Sequence, residues 1–148
     1  MPKNPGDDAL YRLLDQSTTI AVVGLSPKPH RDSHRVAKYL QEKGYKIIPV
    51  HPGAQEVLGE KAYPNLSQVP GNIDIVNVFR KSSDIPPVME AAITKKPRAV
   101  WLQLGIENQE AAAMAKENNI MMVMNLCLMV EHQRLMSSCS SLAEPHGK

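Results

Sequence analysis

The sequence carries no G-x-G-x-x-G turn, no C-x-x-C pair and no H-E-x-x-H motif. These absences remove the standard dinucleotide fingerprint, the simplest zinc knuckles and the zincin protease signature. Cysteine is scarce: Cys127 and Cys139 are the only two and lack metal-ligand spacing, so neither a zinc site nor a disulfide framework is expected. Aromatic residues are few, one Phe, one Trp and four Tyr, and the formal net charge is only +2. So little stacking surface and overall positive charge argues against a general nucleic-acid binder, and any important cation must act locally. No apolar run approaches the roughly 18 to 20 residues that span a bilayer, so no membrane partner is expected. The opening "MPKNPGDDAL" lacks the charged-then-apolar layout of a secretory signal, so a cytoplasmic protein is expected.

What is present fits one globular domain: 148 residues, 43% hydrophobic and 22% charged. Five short, mostly apolar runs read as strands buried on both faces: 19–24 ("TIAVVG"), 46–50 ("KIIPV"), 74–78 ("DIVNV"), 99–102 ("AVWL") and 120–124 ("IMMVM"). Between them lie helical periods in "SHRVAKYLQEKG", "DIPPVMEAAI" and "ENQEAAAMAKENN", with Asp32 or Ser33 placed to cap the first and Gly44 to end it. "ALYRLLDQ" and "VEHQRLM" predict helices at the two ends of the domain, while 53–72 promises only a short helix or turn near Leu66 to Val69. Alternation of strand and helix implies an α/β, Rossmann-like doubly wound domain: a mainly parallel five-stranded sheet with helices on both faces. The expected boundaries are a flexible lead over 1–8, a single domain over 9–136 and a flexible tail over 137–148.

Ligands of such sheets sit beyond the carboxyl ends of the strands, so the residues that follow each strand become the candidates. After the first strand come Gly24, Leu25, Ser26, Pro27 and Lys28, then Arg31 and Ser33 at a helix start flanked by His34 and Arg35. A helix N-terminus among cations suits an anion such as phosphate; a basic surface turn with a structural glycine is the plainer reading. After the second strand stand His51 and Pro52, where an NAD site would want an acidic ribose clamp. Phe79 and Arg80 follow the third strand, able to pack against a base and pair with a phosphate, or simply to be a core Phe followed by a solvated charge. Gln103 and Gly105 follow the fourth; Gln103 has polar atoms to read a ligand, and Gly105 would let one approach the backbone. Cys127, just after the last strand, is either a thiol near a ligand or a packed small residue. No carboxylate pair sits at a strand end and no Ser/His/Asp spacing is distinctive, so a self-sufficient enzyme is not expected.

The stretches "VVGLSPKPHRDSHRVAKYLQEKGYKIIPVHPG", "VLGEKAYPNLSQVP", "DIVNVFRKS", "AVWLQLGIENQEAAAMA" and "VMNLCLMVEHQRL" together resemble the small stand-alone CoA-binding domain proteins. These are similar in fold to the N-terminal domain of the succinyl-CoA synthetase alpha subunit. The resemblance implies coenzyme A as the ligand, bound across the carboxyl ends of the strands. By position, Gly24, Leu25, Ser26, Arg31 and Ser33 would form its phosphate loop, His51 and Pro52 would line the site, and Phe79, Arg80, Gln103 and Gly105 would complete it. Where relatives continue the fifth strand with an arginine and a lysine, this chain reads Asn125-Leu126-Cys127-Leu128-Met129, and that charge contact is missing.

These observations imply a CoA or acyl-CoA binding protein that acts as a carrier, sensor or accessory module. One rival is a partner subunit serving a separately encoded acyl-CoA ligase-type enzyme. A second is an NAD(H)-binding redox sensor, and a third is a scaffold that has lost its ligand.

Overall fold

The computed structural model describes residues 4–136. Methionine 1 to lysine 3 and the expected tail over 137–148, with Cys139, lie outside the described residues. Five parallel strands form the sheet: β1 (Thr19–Val23), β2 (Lys46–Val50), β5 (Ile75–Val78), β6 (Ala99–Leu102) and β7 (Met121–Val123), ordered β2-β1-β5-β6-β7. Every described pairing within it is parallel, in register from Thr19 opposite Lys46 to Trp101 opposite Val123. The order reverses between β1 and β5, which makes that crevice the topological switch point.

Alternate residues of each strand feed two cores. On one face Ile20, Val22, Ile47, Ile75 and Trp101 pack under α1 (Asp7–Gln16), α2 (Asp32–Glu42) and α5, helical over 128–136. On the other, Ala21, Val23, Val76, Val78 and Val100 pack under α3 (Ile85–Lys95) and α4 (Gln109–Glu117). Fully covered strands need no polar alternation, which is why their sequences are continuous apolar runs. The expected α/β class and doubly wound architecture are what the chain adopts.

Boundaries differ by small amounts with local causes. α1 begins at Asp7, two residues earlier than expected, and the Asn4 side chain donates to Met124 O and accepts from Met124 N–H at 2.9 and 2.8 Å. Asn4, within the expected lead, is thus tied to the residue that follows β7. Neither Asp32 nor Ser33 caps α2: Arg31 holds the N-cap position without a side-chain bond, and Asp32 is already helical. The irregular 53–72 crossover holds an unexpected hairpin, β3 (Glu56–Val57) with β4 (Glu60–Lys61), before the 3-10 turn Leu66–Gln68. Its two turn residues, Leu58 and Gly59, both have positive φ, as a tight two-residue hairpin turn demands.

At the amino ends of the strands, Asp74 ties the sheet together. Its carboxylate accepts from Thr18 N–H, Thr18 Oγ1 and Thr19 N–H at 2.8, 3.1 and 3.1 Å, and from Arg98 Nε at 3.2 Å. Burial opposes its charge, but these donors outweigh burial and hold its pKa below the usual carboxylate value.

Candidate functional site

The switch point opens into a cleft of about 740 Å³ at the carboxyl ends of β1, β2 and β5. Gly24, Ser26, Lys28, Arg31, Ser33 and His51 line it, with Phe79 as its far wall. Gly24 is required by packing: its φ is +87°, and a Cβ there would stand 2.6 Å from the Phe79 carbonyl oxygen. Its N–H continues the sheet ladder to Val50 O at 2.8 Å, which holds the loop against β2.

The loop is shaped by two serines. Ser33 Oγ accepts from Ser26 N–H at 3.0 Å, and Ser26 Oγ accepts from Lys28 N–H at 3.1 Å. The buried Ser33 hydroxyl thus folds the loop back over the start of α2, and it keeps its own proton to donate. The first N–H groups of α2 have no intrahelical acceptor and face an anion favourably. Asp32 would counter that field, but its carboxylate is paired with Arg35 one turn on. Lys28 and Arg31 enter no ion pair among the described residues. His51 is fixed by accepting Gly53 N–H at Nδ1, 3.0 Å away, leaving Nε2 for a ligand.

Phe79 and Asp32 also border a second cleft, of about 550 Å³, so the two are neighbours along one edge of the sheet. Arg80, Lys81, Gln103, Leu104, Cys127 and Val130 line this one. Gln103 is 6% exposed, and its Oε1 accepts from Asn77 Nδ2 at 3.2 Å and from Leu128 N–H at 3.0 Å. A backbone N–H can only donate, so Oε1 must face Leu128 and Nε2 is left toward the cleft. Arg80 additionally borders a small hollow of about 190 Å³ with Leu66 and Pro87.

Three expected site residues are placed differently. Leu25 is fully buried in the core under α1 and α2, so it anchors the loop and offers a ligand only backbone. Pro52 is exposed and lines neither cleft. Gly105 is exposed too; its N–H is taken by Asn125 Oδ1 at 2.6 Å, and its φ of +88° marks a structural turn. Of the cations flanking the loop, His34 lines neither cleft, and burial first and Lys38 second lower its pKa.

Other lining residues were not singled out. His30 lies on the basic loop and was readable there; Lys81 and Leu104 sit three and two residues beyond strand ends and Val130 lies in the first turn of α5, where sequence gives no cue to direction. The Asn125–Met129 departure also gains a reason: Leu128 is fully buried and Leu126 O accepts from Trp101 Nε1 at 2.8 Å. That turn is used for packing. No group of three or more His, Cys, Asp or Glu suited to a metal ion occurs among the described residues, nor is any helix there long and apolar enough to cross a membrane.

Residues 18–133 match the CoA binding domain family. The chain is 45% identical over 130 residues to the uncharacterized protein YneT of Bacillus subtilis (strain 168), covering 88% of this chain and 96% of that protein. The solved structure of a hypothetical protein from Pyrococcus horikoshii OT3 superposes with a TM-score of 0.87 at 39% identity, over 92% of this chain and 98% of the other. The ADP-forming acetate–CoA ligase of Methanocaldococcus jannaschii is 25% identical over 153 residues, 96% of this chain but only 22% of the ligase. The family match over residues 18–133 and the 45% identity to a relative covered over 96% of its length lead to one conclusion: this chain belongs to the CoA-binding domain family.

Proposed function

We propose that the protein binds CoA or acyl-CoA along the carboxyl edge of its sheet and acts as a carrier, sensor or accessory module without catalysing a reaction of its own. The observation that carries this reading is the pair of unpaired cations, Lys28 and Arg31, beside the free N–H groups of α2 at the switch point. The 3′-phosphate and pyrophosphate of CoA fit such a cleft, with Ser26, Ser33 and His51 as further donors and Phe79 as an apolar wall. The adjoining cleft fits the ligand's long arm. NAD(H) suits the site less well, because His51 rather than a carboxylate follows β2.

Calorimetric titration with CoA, 3′-dephospho-CoA and NADH at one ionic strength tests the reading. CoA should bind, with weaker binding when the 3′-phosphate is missing and weaker still for NADH. An absence of heat at two temperatures together with an unshifted melting point would overturn it.

A second reading, service to a separately encoded ligase, is favoured by the likeness to a ligase of which this chain spans 22%. ADP-forming ligation of acetate to CoA that appears only when a partner protein is added to this chain would support it.

A further inference from the structure

Among the described residues, the two large hydrophobic side chains that stand exposed are Leu104, 68% exposed, and Val130, 48% exposed. Both line the second cleft, as do Ile106 and Met129. An apolar surface concentrated at one cleft marks a contact site. Beside it lies a polar group of an unusual kind. Gln103 is buried except for what it shows the cleft, and its amide is locked in orientation from two sides, by Asn77 Nδ2 and by the N–H that opens α5 at Leu128. Its Nε2 has no acceptor among the described residues and is not sealed from solvent. A pre-oriented single donor beside apolar side chains is suited to a carbonyl oxygen that is followed by a hydrocarbon chain.

Resting on the CoA reading above, we propose that the second cleft is an acyl-thioester subsite. Gln103 Nε2 donates to the thioester carbonyl oxygen, and Leu104, Ile106, Met129 and Val130 receive an unbranched apolar acyl chain. The protein therefore selects acyl-CoA over free CoA. Of the charged side chains that line the cleft, Asp32 is paired with Arg35, while Arg80 and Lys81 enter no ion pair among the described residues, so an acyl chain ending in a carboxylate is the rival occupant that the test must include. The phosphates belong to the adjoining cleft, whose Lys28 and Arg31 are free to hold them.

Titrating the intact protein with CoA, acetyl-, butyryl-, octanoyl- and succinyl-CoA tests this. Affinity should rise along the apolar series by about two- to fourfold per methylene added, fourfold corresponding to full burial of a CH₂. Succinyl-CoA should bind no better than butyryl-CoA, its apolar counterpart of equal length. Leu104→Ser, at an exposed position that leaves folding intact, should flatten the series when each affinity is divided by the CoA affinity of the same variant. Gln103→Glu keeps the acceptor for Leu128 N–H but replaces the donor, and should cut the acyl-CoA to CoA ratio about tenfold or more. A flat series with CoA still bound overturns the subsite and leaves the CoA site standing, as does a best fit for succinyl-CoA. If, alongside a flat series, sedimentation finds a dimer that Leu104→Ser dissociates, the patch belongs to a second copy. Failure of CoA itself to bind removes both readings.

Discussion

Gly24 does the most with the fewest atoms. The loop around it can lie at the switch point only because no Cβ stands between it and the Phe79 carbonyl, 2.6 Å from where one would be. Gly24→Ala should destabilise the protein by about 2–4 kcal/mol, adding a strained positive φ to an overpacked contact, as read by urea denaturation. A loss below about 0.5 kcal/mol would mean that the loop relaxes freely. Arg31 carries the other residue-level prediction. Arg31→Ala should weaken CoA binding about tenfold, the low end for hydrogen bonds to a charged group because solvent screens an exposed guanidinium. An unchanged dissociation constant would remove Arg31 from the phosphate contact. Both residues were legible from sequence, since a glycine after an apolar strand and cations before a helix are local signals. Gln103 was legible as a polar residue in the right place, but its orientation was not. That depends on Asn77 and Leu128, 26 and 25 residues away, and on a backbone donor that no side-chain pattern reports.

Elements show the same division between local and distant causes. The five strands of the main sheet could be read from apolar runs because both faces are buried. The β3–β4 hairpin could not, because Leu58 occupies a positive-φ turn position that Asn, Asp or Gly usually fills. Leu58 is held there by tertiary contacts: its carbonyl accepts from Gln41 Nε2 at 3.0 Å and its side chain packs against the core. The docking of α5 is likewise tertiary. His132 is buried against Tyr39 and Tyr45, its Nδ1 lies 2.7 Å from the Tyr39 hydroxyl, and burial first and nearby Lys43 second lower its pKa. A lowered folded-state pKa means that the neutral ring is favoured in the fold. Its contribution is complete above the ordinary value near 6.5 and is lost as pH falls through the folded pKa. Glu131, on the same helix, and Asp7, on α1, are both engaged by Arg134, so neither is free to stabilise a charged imidazole. Stability should therefore fall as pH drops below about 6.5, and His132→Gln should show a shallower fall. His34 shifts in the same direction, so the difference between wild type and variant is the quantity that decides. Parallel stability curves would exclude His132 as the source.

At the scale of the whole molecule, a net charge of +2 conceals a separation of roles between the two ends of the sheet. At the amino end Asp74 is paired with Arg98 and accepts from the Thr18 and Thr19 N–H groups, which ties strands together. At the carboxyl end Lys28, Arg31, Arg80 and Lys81 are without ion-pair partners among the described residues, and a ligand would supply the missing charge. Because β1, β2 and β5 form one continuous sheet whose ends make the first cleft, a ligand seated there bridges segments from residue 24 to residue 79 that exist together only in the folded chain. Binding restricted to the folded state must raise stability by mass action, by about 2.7 kcal/mol at a free ligand concentration one hundred times the dissociation constant. For a domain of this size that corresponds to a melting temperature raised by about 5–11 °C. The Arg31→Ala variant, at the same absolute CoA concentration, should lose about half of the stabilisation, since a tenfold weaker affinity leaves only a tenfold excess. Scanning calorimetry with and without CoA measures both. A wild-type shift that matches its dissociation constant, together with the reduced shift in the variant, would mean that the cleft is the binding site. Equal shifts in the two proteins would place the ligand elsewhere on the molecule.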